Sequence, residues 1–225
     1  MKKLVLFVEG EGESEAAPIL IKRLLTLKNA WETVTLDESP FRVGSINHIT
    51  KNGFREWNHK LQACLKRKNV GGVLLLLDGD IRTVNGIAFC AAELAKSLAK
   101  ESKSVGGGKI FSVAIVFACQ EYESWIIAGI SSLVGKMLSG GRQIQDGALN
   151  QIVPNPEIAP RDAKGWLSKF IEGGYRPTMD QAELTRLIDI ETIRHQNVRS
   201  FVRLENAVDQ LVNAIKVGSH IATPN

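Results

Sequence analysis

Residues 70–80 read Val-Gly-Gly-Val-Leu-Leu-Leu-Leu-Asp-Gly-Asp, and this stretch decides the fold class. An apolar run without a polar break is typical of a strand buried on both faces of a parallel sheet. It ends in Asp78 and Asp80, whose side chains point the same way because they lie two positions apart in an extended chain. Gly79 lets another group approach the backbone closely. A solvated turn whose acids cap a helix is the alternative reading.

Strand and helix patterns alternate around this central stretch. Residues 3–8 predict a first strand that runs into an acidic, glycine-rich turn and a helix from Ser14. Residues 86–101 predict a helix, residues 110–118 a second buried strand, and residues 125–138 an apolar helix. The alternation predicts an α/β fold with a mostly parallel sheet flanked by helices.

The sequence changes character after Gly135, where loops rich in glycine and proline separate three predicted helices and no strand is expected. Those helices cover residues 163–171, 181–188 and 198–215. We therefore predict three parts: an α/β domain at 1–135, a C-terminal helical extension packed on it at 136–217, and a flexible tail at 218–225.

Composition places the protein inside the cell and outside the membrane. The 225 residues are 44% hydrophobic and 23% charged, as in ordinary globular proteins, and the net charge of +4 is compatible with a polyanionic partner. Cys64, Cys90 and Cys119 form no Cys-x-x-Cys pair and predict reduced, buried thiols of a cytoplasmic protein. The apolar stretch before Glu9 is too short for a signal peptide or a membrane span.

Acidic side chains follow three separate predicted strands: Glu9, the pair Asp78 and Asp80, and the pair Glu121 and Glu123. The carboxyl ends of neighbouring parallel strands meet at one edge of a sheet, so these acids are expected to form one cluster. Oxygen-only ligands select hard cations such as Mg²⁺ or Mn²⁺. Such ions hold phosphates and activate water for displacement at phosphorus.

The motifs around these acids resemble those of the Toprim superfamily. Val8-Glu9-Gly10-x-Gly12-Glu13 and Leu77-Asp78-Gly79-Asp80 are similar to its Glu and Asp-x-Asp motifs. Residues 120–125, Gln-Glu-Tyr-Glu-Ser-Trp, resemble a Glu-x-Glu segment of the small bacterial Toprim-like family DUF4276, related to RloB-like and OLD-type Toprim proteins. Weaker landmarks are similar at Asp162-Ala163-Lys164, Tyr175 and Ser200-Phe201.

This resemblance implies a Toprim-like Rossmannoid fold and Mg²⁺-dependent phosphodiester chemistry on nucleic acid. It also implies a role in antiviral, anti-phage defence beside an ATPase partner. The chain departs from the pattern at Gly12, where Thr or Ser is common. That change removes a contact to phosphate or to metal-bound water but leaves the carboxylates in place.

Roles for the acidic residues follow from their chemistry. We expect Asp78 and Asp80 to be metal ligands, and Glu9 to be a metal ligand or the general base. Glu123 is expected to bind a second metal ion, and helix capping is the alternative role for both Glu121 and Glu123. Further candidates are Glu13, which recurs in the family pattern, Glu121, and Lys164, although a single lysine on a helix more often lies on a solvated face.

Basic residues cluster at the start of the last predicted helix, at Arg194, Arg199 and Arg203. They are candidates for contacts to a nucleic-acid backbone, and ordinary surface charge is the alternative. The apolar helix at 125–138 could serve a homo-oligomer as readily as a core.

Together these features predict a Mg²⁺-dependent nuclease that acts on DNA or RNA in anti-phage defence with an ATPase partner. The first alternative is a catalytically degenerate Toprim module that binds and regulates an ATPase or nucleic acid. The second is a phosphohydrolase of small substrates.

Overall fold

The computed structural model describes residues 1–151 and 153–224. Its strands are β1 (Lys2–Val8), β2 (Val34–Leu36), β3 (Phe41–Arg42), β4 (Val70–Asp78), β5 (Thr83–Val84), β6 (Ile87–Ala88), β7 (Ser112–Ala118), β8 (Met137–Leu138), β9 (Arg142–Gln143) and β10 (Ala222–Thr223). Its helices are α1 (Glu11–Leu27), α2 (Ile46–Leu65), α3 (Ala91–Ser102), α4 (Glu123–Ala128), α5 (Gly147–Asn150), α6 (Ala163–Phe170), α7 (Pro177–Leu187), α8 (Ile190–His195) and α9 (Arg199–Lys216).

A parallel sheet with the strand order β10-β7-β4-β1-β2 forms the centre of the molecule. The short β3 also pairs with β1 in parallel, beyond the part of β1 that β2 covers. Two antiparallel hairpins, β5–β6 and β8–β9, lie outside this sheet. The predicted α/β class with a mostly parallel, helix-flanked sheet is confirmed.

Strand β4 is buried along its whole length, as its sequence predicts. Its alternate side chains divide between two hydrophobic clusters, because successive residues of a strand point to opposite faces. Leu74 and Leu76 join the cluster that contains α1 and α9, whereas Val73, Leu75 and Leu77 join the cluster that contains α2 and α3. Both faces of the sheet are therefore covered, and only its carboxyl edge offers access to the ends of β1, β4 and β7.

Helix α9 covers one face of the sheet and packs against β7 and β4. Its buried residues Phe201, Leu204, Val208 and Leu211 recur at the helical spacing of three and four positions, which gives one apolar stripe. They belong to the same hydrophobic cluster as residues of β1, β4 and β7. The C-terminal helices therefore share a core with the sheet.

The prediction of a helix from residue 86 is wrong at its start. Thr83–Val84 and Ile87–Ala88 pair as an antiparallel hairpin, and α3 begins only at Ala91. Asn85 and Gly86 form the turn with φ values of 51° and 79°. An Asn-Gly pair is the strongest local signal for this kind of turn. The sequence therefore contains evidence for the hairpin, and the helical pattern extends only from Ala91.

The predicted apolar helix at 125–138 is also wrong, because α4 ends at Ala128. A Cβ atom added at Gly129 would lie 2.4 Å from Cδ1 of Ile188, so the chain passes too close to that isoleucine for a larger residue. A 3₁₀ turn at Ile130–Ser132 follows, and then β8. The long apolar helix that offered a dimer surface is absent from this segment.

The part after residue 135 contains strands that were not expected. Met137 and Leu138 pair with residues of β9, and Ala222 and Thr223 pair with Val113 and Ala114 of β7. The segment expected to be a flexible tail therefore supplies an edge strand of the central sheet. Its two-residue length lies below what a local pattern can identify.

Two of the three cysteines differ from the expectation of burial. Cys64 is buried, whereas Cys90 and Cys119 are exposed, and all three are free thiols. Across residues 1–151 and 153–224, none of the helices combines the length and the apolar character that crossing a membrane would require.

Candidate functional site

The acids predicted at three strand ends lie at the carboxyl edge of adjacent strands. Glu9 follows β1, Asp78 is the last residue of β4, and Glu121 and Glu123 follow β7 within five residues of its end. Strands β1, β4 and β7 are neighbours in the sheet, so these side chains approach one another. Asp80 lies beyond the end of β4 and is exposed.

Lys164 joins three of these carboxylates. Its Nζ atom lies 2.5 Å from Oε1 of Glu121, 3.7 Å from Oε2 of Glu123 and 4.0 Å from Oδ2 of Asp78. The lysine is the second residue of α6, which folds back over the sheet edge. The expectation that Lys164 lies on a solvated helix face is wrong, because its ammonium group is directed at the acids. We call Asp78, Glu121, Glu123 and Lys164 the inner cluster.

Glu121 fixes the position of α6 as well as its lysine. Its Oε2 atom accepts a hydrogen bond from the backbone N–H of Ala163, the first residue of that helix. Asp162 caps the same helix end by accepting from the N–H of Gly165 at 2.7 Å. A carboxylate near a helix N-terminus is favourable because the first N–H groups have no partner within the helix. Glu121 therefore has the helix-capping role that the sequence offered as an alternative, but at the start of the distant α6.

Glu123 is fully buried, and one of its two oxygens is satisfied by a tyrosine. The hydroxyl of Tyr175 donates to Oε1 of Glu123 at 2.8 Å. Oε2 has no hydrogen-bond partner within the described part of the chain and faces the ammonium of Lys164. A buried oxygen without a hydrogen-bond partner lowers stability. Because this oxygen faces the cluster, it is available as a ligand for a cation there.

The end of β4 is held rigidly beside this cluster. The backbone N–H of Tyr122 donates to Oδ1 of Asp78 at 2.8 Å. The N–H of Gly79 lies 2.9 Å from the carbonyl of Ala118 and 2.8 Å from that of Gln120. A Cβ atom at Gly79 would lie only 2.9 Å from the Ala118 oxygen, which is the close approach that its glycine was expected to allow.

Burial, together with repulsion between neighbouring acids, raises the pKa values of Glu9, Asp78 and Glu123. Burial raises the pKa of Glu9 to about 7, with further contributions from the charges of Asp80 and Glu13. Burial and the charge of Glu123 raise the pKa of Asp78 well above its ordinary value. The pKa of Glu123 is also raised, mainly by burial, although Lys164 and Tyr175 act against the shift. A single ammonium group does not neutralise this site.

Glu13 belongs to the outer part of the site and is held by two neighbours. Its Oε2 atom accepts from the N–H of Gly10 at 3.0 Å, and its Oε1 atom accepts from Nε2 of Gln181 at 3.3 Å. A Cβ atom at Gly12 would lie 2.2 Å from Oε1 of Gln181. The departure from Thr or Ser at this position therefore makes room for Gln181.

The three arginines proposed to contact nucleic acid differ in availability. Arg194 forms salt bridges with Glu191 and Glu205, so its charge is neutralised. Arg203 donates weakly to Thr223 and Gln210 and is half-buried. Of the three, only Arg199 is exposed.

Other exposed arginines lie next to the site and were missed by the sequence analysis. They are Arg42, Arg82, Arg161 and Arg176. Each lies close, in sequence or across the sheet, to a residue of the site. None of them forms a salt bridge with the described residues. Their nearness to the acidic motifs is visible in the sequence for Arg82, Arg161 and Arg176. Arg42 lies opposite Val8, the residue before Glu9, because β3 pairs with the end of β1.

The donors of the site suit the hard cation that the sequence implies, although they do not surround a common point. In residues 1–151 and 153–224, no three His, Cys, Asp or Glu side chains already surround one point that could hold a metal ion. The chemistry of the donors nevertheless fits Mg²⁺ or Mn²⁺, because all are carboxylates and three have raised pKa values. The position between the inner carboxylates is taken by the ammonium of Lys164.

Comparison with known proteins identifies a family and no individual relative. No curated protein and no solved structure matches the chain. A family model described as a domain of unknown function, DUF4276, matches residues 8–209, which include every acid of the site. The chain belongs to the DUF4276 family.

Proposed function

We propose that this protein is a metal-dependent nuclease of the Toprim type that hydrolyses phosphodiester bonds in DNA or RNA. One observation carries the proposal: Glu9, Asp78 and Glu123 lie together at the carboxyl edge of a parallel sheet and have raised pKa values. Acids with perturbed pKa values at such an edge are typical of a functional site. Burial is the main cause of the raised pKa values and the charges of neighbouring acids add to it, and a divalent cation would favour the ionised forms that both effects disfavour.

Glu9, Asp78 and Asp80 would hold Mg²⁺ or Mn²⁺, and Glu123 would contribute to a second ion. The bound ion would supply charge stabilisation at the phosphate and activation of water. As the alternative to metal ligation, Glu9 would accept a proton from that water, because a general base works best with a pKa near the working pH and the pKa of Glu9 in the metal-free protein is about 7. The Tyr122 N–H holds Asp78 in a fixed orientation for this chemistry.

A polynucleotide substrate is supported by the exposed arginines around the site. Arg82 follows Asp80 by two residues, Arg161 precedes α6, and Arg176 follows Tyr175. Arginines without acidic partners bind phosphate oxygens in a fork geometry, and their charges favour a polyanion over a small substrate. The ATPase partner and the role in anti-phage defence stay predictions that rest on the sequence resemblance.

Cleavage of labelled nucleic acid by purified protein tests the proposal. Single-stranded DNA, double-stranded DNA and structured RNA are incubated with Mg²⁺, Mn²⁺ or EDTA. Asp78→Asn and Glu9→Gln should each lower the cleavage rate by about 100-fold or more, because each removes a ligand or the base. Glu15→Gln, an exposed acid on α1, serves as the control and should cut at the wild-type rate.

Circular dichroism establishes that the variants are folded before their rates are compared. Equal cleavage by wild type and the Asp78→Asn/Glu9→Gln double variant would contradict the proposal. Hydrolysis of phosphomonoesters without cleavage of polymers would move the assignment to a phosphohydrolase of small substrates.

A second candidate is a catalytically degenerate module that binds nucleic acid or an ATPase. The position of Lys164 among the inner carboxylates favours it, because a bound ammonium occupies space that a metal ion needs. Nucleic-acid binding without turnover in either metal would support this function. Fluorescence anisotropy with Arg161→Gln and Arg176→Gln would show whether the exposed arginines carry that binding.

A further inference from the structure

We propose that Lys164 is an internal counter-ion that occupies the cation position of the inner cluster until a divalent metal ion displaces its ammonium group. This inference rests on the proposed metal site and adds a regulatory step to it. The lysine is then neither a solvated surface residue nor a permanent salt-bridge partner, but a competitor for the same carboxylates.

The contacts of Lys164 show which carboxylates it holds firmly and which it holds loosely. Its Nζ atom lies 2.5 Å from Glu121, a charge-assisted hydrogen bond, but 3.7 Å from Glu123 and 4.0 Å from Asp78. Glu123 keeps an oxygen that is buried and without a hydrogen-bond donor. The two loosely held acids therefore present the oxygens that an incoming ion would take.

The lysine can leave without disturbing the fold around it. Its side chain is 38% exposed, whereas that of Glu123 is fully buried, so the ammonium has a path to solvent. The backbone of α6 is fixed independently, because Ala163 donates to Glu121 and Gly165 donates to Asp162. Displacement therefore requires rotation of one long side chain, which is the flexible element of the cluster.

The charges also favour exchange. One ammonium group faces the three carboxyl groups of Asp78, Glu121 and Glu123 and lies within hydrogen-bond distance of Glu121 alone, so it does not satisfy all of them. A divalent cation adds one more positive charge at the same place. Lys164 thus keeps the metal-free protein stable and lowers the affinity of the site for metal, because each cation must displace the other.

Equilibrium binding of Mn²⁺ tests the competition without any nuclease substrate. Isothermal titration calorimetry and thermal melting are performed on wild type, Lys164→Met and, as the matched control, Lys169→Met, an exposed lysine on the same helix. Lys164→Met should melt about 5 °C lower in EDTA because its buried acids lose their cation. It should bind Mn²⁺ at least about tenfold more tightly than wild type, and Mn²⁺ should restore its melting temperature. Lys169→Met should match wild type in both measurements.

The outcomes separate this inference from the proposed function. Equal Mn²⁺ affinity in wild type and Lys164→Met would overturn the counter-ion role while leaving the metal site intact. If neither protein binds Mn²⁺, both proposals fail. If Lys164→Met does not fold, Lys164→Arg provides the test, because it keeps the positive charge; binding of Mn²⁺ to that variant more tightly than to wild type would overturn the inference.

Discussion

Two buried ionic groups of this protein differ in the ratio of cations to acids. Asp180, on α7, is fully buried and paired with Arg142 of β9, whose two terminal nitrogens both donate to it. The backbone N–H of Arg176 adds a third donor at 2.8 Å. In the inner cluster, by contrast, Lys164 serves three carboxylates, and one oxygen of Glu123 has no donor.

The Arg142–Asp180 pair is a structural ion pair, whereas the inner cluster is the candidate site for a bound cation. The Arg142–Asp180 pair joins the β8–β9 hairpin to α7 and also reaches the carbonyl of Gly174. Its needs are met within the protein, and the hydrogen bond to Asp180 raises the pKa of Arg142. In the inner cluster, by contrast, one buried oxygen of Glu123 has no hydrogen-bond donor within the described residues, and burial raises the pKa values of Asp78 and Glu123. The first arrangement is that of a stabilising ion pair, whereas the second leaves a buried polar atom unsatisfied, which lowers stability.

Removing the cation from the balanced pair should have the largest effect on stability. Arg142→Met leaves Asp180 buried without its partner and should lower the free energy of unfolding by about 3–5 kcal/mol. Urea denaturation measures the change, with the exposed Arg186→Met on α7 as the control. A loss similar to that of the control would show that the pair does not hold the hairpin to α7.

Removing Glu9, the acid that follows β1 beside the inner cluster, should have the opposite sign. The pKa of Glu9 is raised from 4.5 to about 7, so its stabilising contribution is present below pH 4.5 and is lost as the pH rises to about 7. Glu9→Gln should therefore be more stable than wild type at pH 8 in EDTA, by about 1–2 kcal/mol after discounting for solvent screening. The gain should vanish near pH 4.5.

Urea denaturation at several pH values between 4.5 and 8 measures this trend. Glu15→Gln, whose acid lies on the exposed side of α1, is the control and should follow wild type at every pH. A difference between Glu9→Gln and wild type that does not change with pH would contradict the assignment of a raised pKa to Glu9.

The smallest effect is expected at Gly12, which lies against the uncharged side chain of Gln181. Gly12→Ala should destabilise the protein by about 1 kcal/mol, because its Cβ would meet Gln181 and displace its hydrogen bond to Glu13. In a Gln181→Ala background the same change should become neutral or stabilising, since alanine is the better helix former. A double-mutant cycle by urea denaturation measures the coupling. Equal effects in both backgrounds would show that Gln181 does not explain the glycine.

Much of the fold was readable in local patterns. The helix predicted from residue 86 conflicts with the local turn signal of Asn85-Gly86, whereas the other errors involve contacts between distant segments. The apolar run of β4 and the apolar stripe of α9 each reflect a period set by the geometry of one element. Helix α4 ends at Ala128, and the next residue, Gly129, lies against Ile188, which is 59 positions further along the chain, so a residue larger than glycine does not fit there. The edge strand β10 is two residues long and exists because β7 offers it a partner.

The candidate site divides in the same way. The sequence alone placed Glu9, Asp78 and Glu123 at the ends of neighbouring strands, because a parallel sheet brings such ends to one edge. Only the tertiary structure decided that Lys164 enters the cluster, that Tyr175 binds Glu123, and that Arg194 is already neutralised. The periodicity of apolar residues shows which face of a helix or strand is buried. The pairing of charges between distant segments depends on how α6 folds over the sheet edge, and no local pattern contains that.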